Sequence, residues 1–158
     1  MSVRIDIAAA APGALAAMAR VERYVHDSGL EPTVVKLVKV RASQLNGCAY
    51  CVDMHTKEAR AGGETEQRLY ALPVWRETPF FSPRERAALT WTEAVTEIGR
   101  TGVPDAAYEE ARAHFSETEL VDLTMAIVAI NGWNRLAVSF RKEPGSYQVP
   151  RAVRAVSA

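Results

Sequence analysis

The stretch ELVDLTMAIVAINGWNRLAVSF, residues 119–140, limits the fold more than any other part of the chain. It carries apolar residues on almost every side of a helical wheel, and such a helix is stable only when neighbours enclose it. Ser116-Glu117-Thr118-Glu119 supplies its start: the serine can cap the third amide and the second glutamate can reach back to the serine's own amide. The remaining chain, or a second copy of it, must therefore wrap a central apolar rod. A length of 158 residues suffices for one domain that buries roughly two-thirds of its unfolded surface without disulfide support.

The other segments carry helical punctuation. Pro12 opens an alanine-rich helix that runs to about His26 and stops at Gly29, and Pro32 opens a second that ends near Leu45. Within the second, VVKLVKV does not alternate consistently, which argues for helix over strand despite its valines. Asn46-Gly47 interrupts the chain, and a third helix is expected from Cys48 through Arg60 to the Gly62-Gly63 stop. Glu64–Leu72 reads as a short helix followed by the irregular PVWRETPFF. Ser82-Pro83-Arg84-Glu85 is a second capping box, for a helix to about Ile98, and Asp105–Phe115 forms another. After Pro144-Gly145 the chain reads as extended or loosely attached. The expectation is an all-α, single-domain bundle of six or seven helices over residues 1–158, with its core at about 12–142 and a tail at 143–158.

Lys and Arg number 19, as do Asp and Glu, giving a formal net charge of zero. Nucleic acid is not an expected partner, since phosphate binding needs a basic excess or stripe. No apolar run approaches the roughly 20 residues of a membrane span. The alanine-rich start lacks the basic leader and dense apolar run of a signal sequence. A soluble, cytoplasmic protein is expected, in a compartment that keeps thiols reduced.

There the segment NGCAYCVDMHTKEAR, residues 46–60, carries the chemistry. Cys48, Cys51 and His55 are three and four residues apart, so a helix lines them along one stripe. Cys48, near the helix start, meets exposed amides and the positive end of the dipole, which favour a thiolate. His55 stands one turn from Cys51, within reach as a base or proton relay. Two other readings stay open. Buried cysteines also serve as small apolar residues. A zinc site would require a fourth ligand from His26, His114 or a carboxylate such as Asp53. Haem attachment requires histidine directly after the second cysteine, where Val52 stands, and two cysteines are too few for a four-cysteine iron-sulfur site. A redox dithiol accounts best for the spacing; no metal and no cofactor are expected, and no GxGxxG dinucleotide fingerprint is present.

The segments LVKVRASQLNGCAYCVDMHTKEAR and GETEQRLYALPVWRETPFFSPRERAALTWTEAVT, with the later INGWNRLAVSF, resemble the carboxymuconolactone decarboxylase superfamily, in its alkylhydroperoxidase AhpD-like branch. The resemblance spans about residues 12–142. It implies an all-helical homo-oligomer, a trimer or hexamer. It also implies reduction of hydroperoxides by a CxxC pair that a cellular thiol donor or disulfide reductase regenerates. Cys51 would be the peroxidatic thiol, Cys48 the resolving thiol and His55 a relay member. The alternatives are a non-catalytic redox-sensing or binding oligomer and a decarboxylase-type enzyme, the latter branch having no need of the dithiol.

The same resemblance places a relay glutamate twelve residues before the first cysteine, where this chain has Lys36. An ammonium there would favour thiolate but could not act as a carboxylate base. Glu31, Asp53 and Glu58 are candidates to replace the carboxylate. Tyr50 is a candidate to shape the site, as are Trp133, Asn134 and Arg135. Met54, Trp75, Phe80, Phe81 and Trp91 are candidates to line an apolar entrance.

Overall fold

Prolines, glycines and two serine caps divide the chain where the sequence places its breaks. The computed structural model describes residues 2–150. Among them the chain forms α1 (Ile7–Ala10), α2 (Pro12–Asp27), α3 (Pro32–Leu45), α4 (Ala49–Ala61), α5 (Glu66–Ala71), a 3-10 helix (Leu72–Glu77), α6 (Pro83–Thr96), α7 (Ile98–Thr101), α8 (Asp105–Arg112) and α9 (Glu117–Phe140), and no strand. The all-α class is as expected. The seven anticipated helices are all present, and α1 and α7, each a single turn, raise the count. PVWRETPFF, expected to be irregular, is in part the 3-10 helix, with a kink at Val74 where φ is −121°.

Both capping boxes form. Ser82 and Ser116 accept from the amides of Glu85 and Glu119, whose carboxylates accept in turn from the serine amides. Helix α9 lies at the centre, packed by α2, α3, α6 and, toward its C-terminal half, α4. Its Leu123, Ala126, Ile127 and Ile130 are fully enclosed, and each large side chain contributes roughly 1.5–3 kcal/mol by leaving water. The enclosure has one gap. Val121 and Val128, two turns apart on one stripe, are 60% and 50% exposed.

Helices α3 and α4 form the hairpin that carries the motif. Asn46 ends α3, and Gly47 takes φ of +63°, a left-handed conformation that glycine adopts without strain. The amides of Gly47 and Cys48 then donate to the carbonyls of Gln44 and Ser43, which close α3 and deliver Cys48 as the N-cap of α4.

Among the described residues beyond α9, 141–150, there is no regular structure, and residues 145–147 are fastened to α4 instead of hanging loosely. The expected tail beyond residue 150 lies outside the described residues. The N-terminal strand of chain before α1 folds back over the end of α9, where the Arg4 amide donates to the Phe140 carbonyl at 3.0 Å.

Candidate functional site

Cys48 and Cys51 are both unbonded and buried, at 1% and 2% exposure, and His55 follows at 5%. Ala42, Ile130 and Ala137 pack around the two sulfurs. Cys51 and His55 line a cavity of about 570 Å³, whereas Cys48 lies behind the cavity wall. The wall is largely apolar: Ile5 and Ile7 from the N-terminal segment, Leu15 from α2, Met54 from α4, and Trp133, Leu136 and Phe140 from α9. A volume of this order accommodates an organic molecule far larger than hydrogen peroxide.

The thiols behave as one unit. The Cys48 thiol is pulled down to about 6, first because the Cys51 thiol can donate to its thiolate, with burial opposing. The amides of Cys51 and Tyr50 and the Asn134 side chain add to the pull. The Cys48 side chain makes no close capping bond, so these amides act by electrostatic reach at the start of α4. Cys51 is pushed up by the same hydrogen bond, by burial and by the charge on Cys48, with Asn134 and Lys142 opposing. The dithiol thus loses one proton readily and holds the other, sharing one negative charge across the pair. Electrostatics places that charge first on Cys48, while access favours Cys51. Transfer of the remaining proton along the sulfur–sulfur hydrogen bond reconciles the two.

His55 is oriented from behind. Its Nδ1 lies 2.8 Å from Glu58 Oε2. Burial raises the Glu58 carboxyl, but the hydrogen bonds from His55 and Tyr147 outweigh it and hold the group below its usual range. An ionised carboxylate only accepts, so Nδ1 carries the hydrogen, and in the neutral imidazole Nε2 presents a lone pair. That Nε2 is the one buried side-chain nitrogen or oxygen among the described residues with no hydrogen-bond partner. A buried polar atom left open in this way is costly unless something arrives to use it.

Asn134, 1% exposed, accepts from the Asn46 amide at 2.9 Å and donates to Ser43 Oγ at 3.1 Å. This fixes its amide beside the thiols. Tyr50 lines the cavity beneath the Lys142 ammonium, 4.3 Å from its ring centroid. Among the described residues no three His, Cys, Asp or Glu side chains converge as a metal site would require.

Lys36 is not with the thiols. Its ammonium fills the space beside Gly62, where a Cβ would lie 1.7 Å from Nζ. That is the opposite end of α4 from Cys48, about 20 Å along the axis. A cation suits that end of a helix, so Lys36 serves the C-terminus of α4. Of the three candidate replacement carboxylates, Glu58 alone meets His55. Glu31 pairs with Arg84, and Asp53 pairs with Lys57. Of the proposed entrance residues only Met54 lines the cavity. Trp75, Phe80 and Phe81 pack beneath α5, and Trp91, on α6, packs against α8 and α9. Arg135 is exposed, whereas Trp133 lines the cavity and donates to Glu22 Oε1 at 3.0 Å.

Sequence reasoning missed the Glu22–Lys39 pair, 2.5 Å apart on the cavity wall, and also Lys142, Tyr147 and the N-terminal residues. Glu22 and Lys39 stand on different helices with no shared spacing, so no local pattern announces them.

Fold and site together define an all-helical protein with a buried dithiol against an apolar cavity. The chain belongs to the carboxymuconolactone decarboxylase family, whose profile matches residues 10–94, and within it to the AhpD-like branch. It is 43% identical over 146 residues to the uncharacterized protein YdfG of Bacillus subtilis, spanning 92% of this chain and 99% of that one. A solved structure of a protein of unknown function from Agrobacterium tumefaciens, with a suggested AhpD antioxidant-defence role, superposes with a TM-score of 0.89. The two are 51% identical, over 92% of this chain and 100% of that one. The debrominase Bmp8 shares the fold, with a TM-score of 0.77 at 17% identity over 92% of this chain and 77% of its own.

Proposed function

We propose that the protein is a thiol-dependent peroxidase that reduces organic hydroperoxides through Cys51 and Cys48. The observation that carries this reading is that Cys51 and His55, one helical turn apart, line the same apolar cavity, and that His55 Nε2 has no hydrogen-bond partner. The apolar wall receives the organic part of the substrate, and Nε2 receives or returns a proton at the reacting oxygens.

In the first step the Cys51 thiolate attacks one peroxide oxygen. The S–O bond forms, the O–O bond breaks with its electron pair leaving on the alkoxide, and His55 Nε2, having taken up a proton from solvent, passes it to that alkoxide to give the alcohol. Cys51 is then a sulfenic acid. The Cys48 sulfur displaces its hydroxyl, which leaves as water with the proton that Cys48 received from Cys51, giving the Cys48–Cys51 disulfide. Two external thiols, or one dithiol, reduce this disulfide and are themselves oxidised to a disulfide. Cys48 is suited to the second step because its low proton affinity lets it give up that proton readily, and it lies behind Cys51 and away from the cavity. A homo-oligomer in a thiol-reducing compartment such as the cytoplasm completes the proposal, with the Val121–Val128 stripe as exposed apolar surface on the central helix.

Stopped-flow mixing of the fully reduced protein with cumene hydroperoxide, followed by thiol counting, tests this reading. Rapid loss of both thiols in the wild type, no fast reaction in Cys51→Ser and arrest at one oxidised thiol in Cys48→Ser are expected. A wild-type rate equal to that of free glutathione removes the peroxidase assignment.

A further inference from the structure

The segment after α9 runs back along α4 and makes three hydrogen bonds to it. The Gly145 amide donates to Asp53 Oδ2 at 3.1 Å, Lys57 Nζ donates to the Tyr147 carbonyl at 3.2 Å, and the Tyr147 hydroxyl donates to Glu58 Oε1 at 2.6 Å. The first two fasten backbone. The third does something different, because it engages the carboxylate whose other oxygen holds His55 Nδ1 at 2.8 Å. Resting on the peroxidase reading, we infer that Tyr147 is a positioning residue that acts through Glu58 to hold His55 with its Nε2 lone pair open to the cavity.

The physical basis is the geometry of a carboxylate with two donors. With one partner, the half-buried Glu58 could rotate about its last bond or turn toward solvent. With a phenol on Oε1 and an imidazole N–H on Oε2, the carboxylate plane is fixed. The fixed acceptor then selects the imidazole tautomer, since a hydrogen on Nε2 would leave two lone pairs facing each other between Nδ1 and Oε2. The phenol is a constant donor, because burial and then the hydrogen bond and charge of Glu58 raise its proton affinity.

The other charged groups around His55 do not compete for this role. On the cavity wall, Glu22 of α2 is paired with Lys39 of α3, and Lys142, after α9, stands over Tyr50. Asp53 is occupied by Lys57 and the Gly145 amide. The dithiol presents Cys51 to the same cavity. Glu58 is therefore the carboxylate that sets the imidazole, and Tyr147 is the residue that sets Glu58.

Nitrogen-15 NMR of the reduced protein reads the tautomer directly, with His26 and His114 as internal references. In the wild type His55 is expected with hydrogen on Nδ1 and none on Nε2. In Tyr147→Phe, which keeps the ring and deletes the donor, a mixture of tautomers is expected. The rate of Cys51 oxidation should fall roughly fivefold, the order that one hydrogen bond supports, while the melting temperature falls by no more than about 2–4 °C. An unaltered tautomer in Tyr147→Phe, a wild-type tautomer protonated on Nε2, or a changed tautomer with no change in rate would each overturn the assignment. If the wild-type thiols do not react with hydroperoxide at all, the peroxidase reading fails, while the tautomer spectra still decide whether Tyr147 sets His55.

Discussion

Two half-buried carboxylates, Glu93 and Glu58, show how the same side chain serves opposite ends. Glu93, on α6, accepts from Arg41 at 2.8 Å, from the Trp75 indole at 2.8 Å and from Arg76 at 2.5 Å. Burial alone would raise its proton affinity, yet these donors hold it below the usual range. Every donor there has found its acceptor, and the cluster ties α3, α6 and the 3-10 helix together. Glu58 is also half-buried and also held low by its donors, but one of them is His55, whose far nitrogen is left unsatisfied. A saturated polar cluster stabilises. A cluster with one open atom facing a cavity stores reactivity instead.

The sharpest way to break this contrast is to truncate each carboxylate in turn. Glu93→Ala strands two arginines and an indole around a partly buried site and should cost about 3 kcal/mol of unfolding free energy, measured by urea denaturation. The molecules that remain folded should oxidise with unchanged kinetics. Glu58→Ala should do the reverse, costing about 1 kcal/mol of stability while slowing Cys51 oxidation by at least the effect of Tyr147→Phe. Equal effects of the two substitutions on rate would erase the distinction.

The pH dependence sharpens the reactive side. Because Cys48 is pulled down to about 6, the singly ionised dithiol is populated above that pH and lost as pH falls through it. Thiol oxidation should rise with a midpoint near 6, about two and a half units below the midpoint near 8.5 of a free thiol, and be nearly level above neutral pH. A midpoint near 8.5 would show that the Cys51 hydrogen bond, with the amides of α4 and Asn134, does not stabilise the anion.

The smallest expected effect belongs to Lys36→Glu. It replaces a cation at the C-terminus of α4 with an anion, at a cost of about 0.3–1 kcal/mol visible as a slight fall in melting temperature. Oxidation kinetics should be unaffected, because the residue lies at the far end of the helix. A faster reaction in this variant would return position 36 to the site.

Much of the fold was legible in local pattern. The capping boxes at Ser82 and Ser116 form as written, and Asn46-Gly47 breaks the chain where Cys48 begins a new helix. The stripe of Cys48, Cys51 and His55 was equally legible, because helical spacing alone fixes it. By contrast, position 36 misled. Its spacing from the cysteines fits a relay carboxylate, but α3 and α4 run antiparallel, so a residue near the start of α3 meets the end of α4. Trp75, Phe81 and Trp91 misled for a related reason: apolar character does not say which of several interhelical spaces a ring will fill.

The sequence by itself determined the helices, their breaks and the dithiol with its histidine, since each depends on hydrogen bonds and spacing within a few residues. Only the tertiary structure decided which thiol meets the cavity, that Glu58 orients His55, and that Tyr147 returns across some ninety residues to hold Glu58. Those choices depend on where helices cross and which side chains then share one buried space. No periodicity along the chain encodes that meeting.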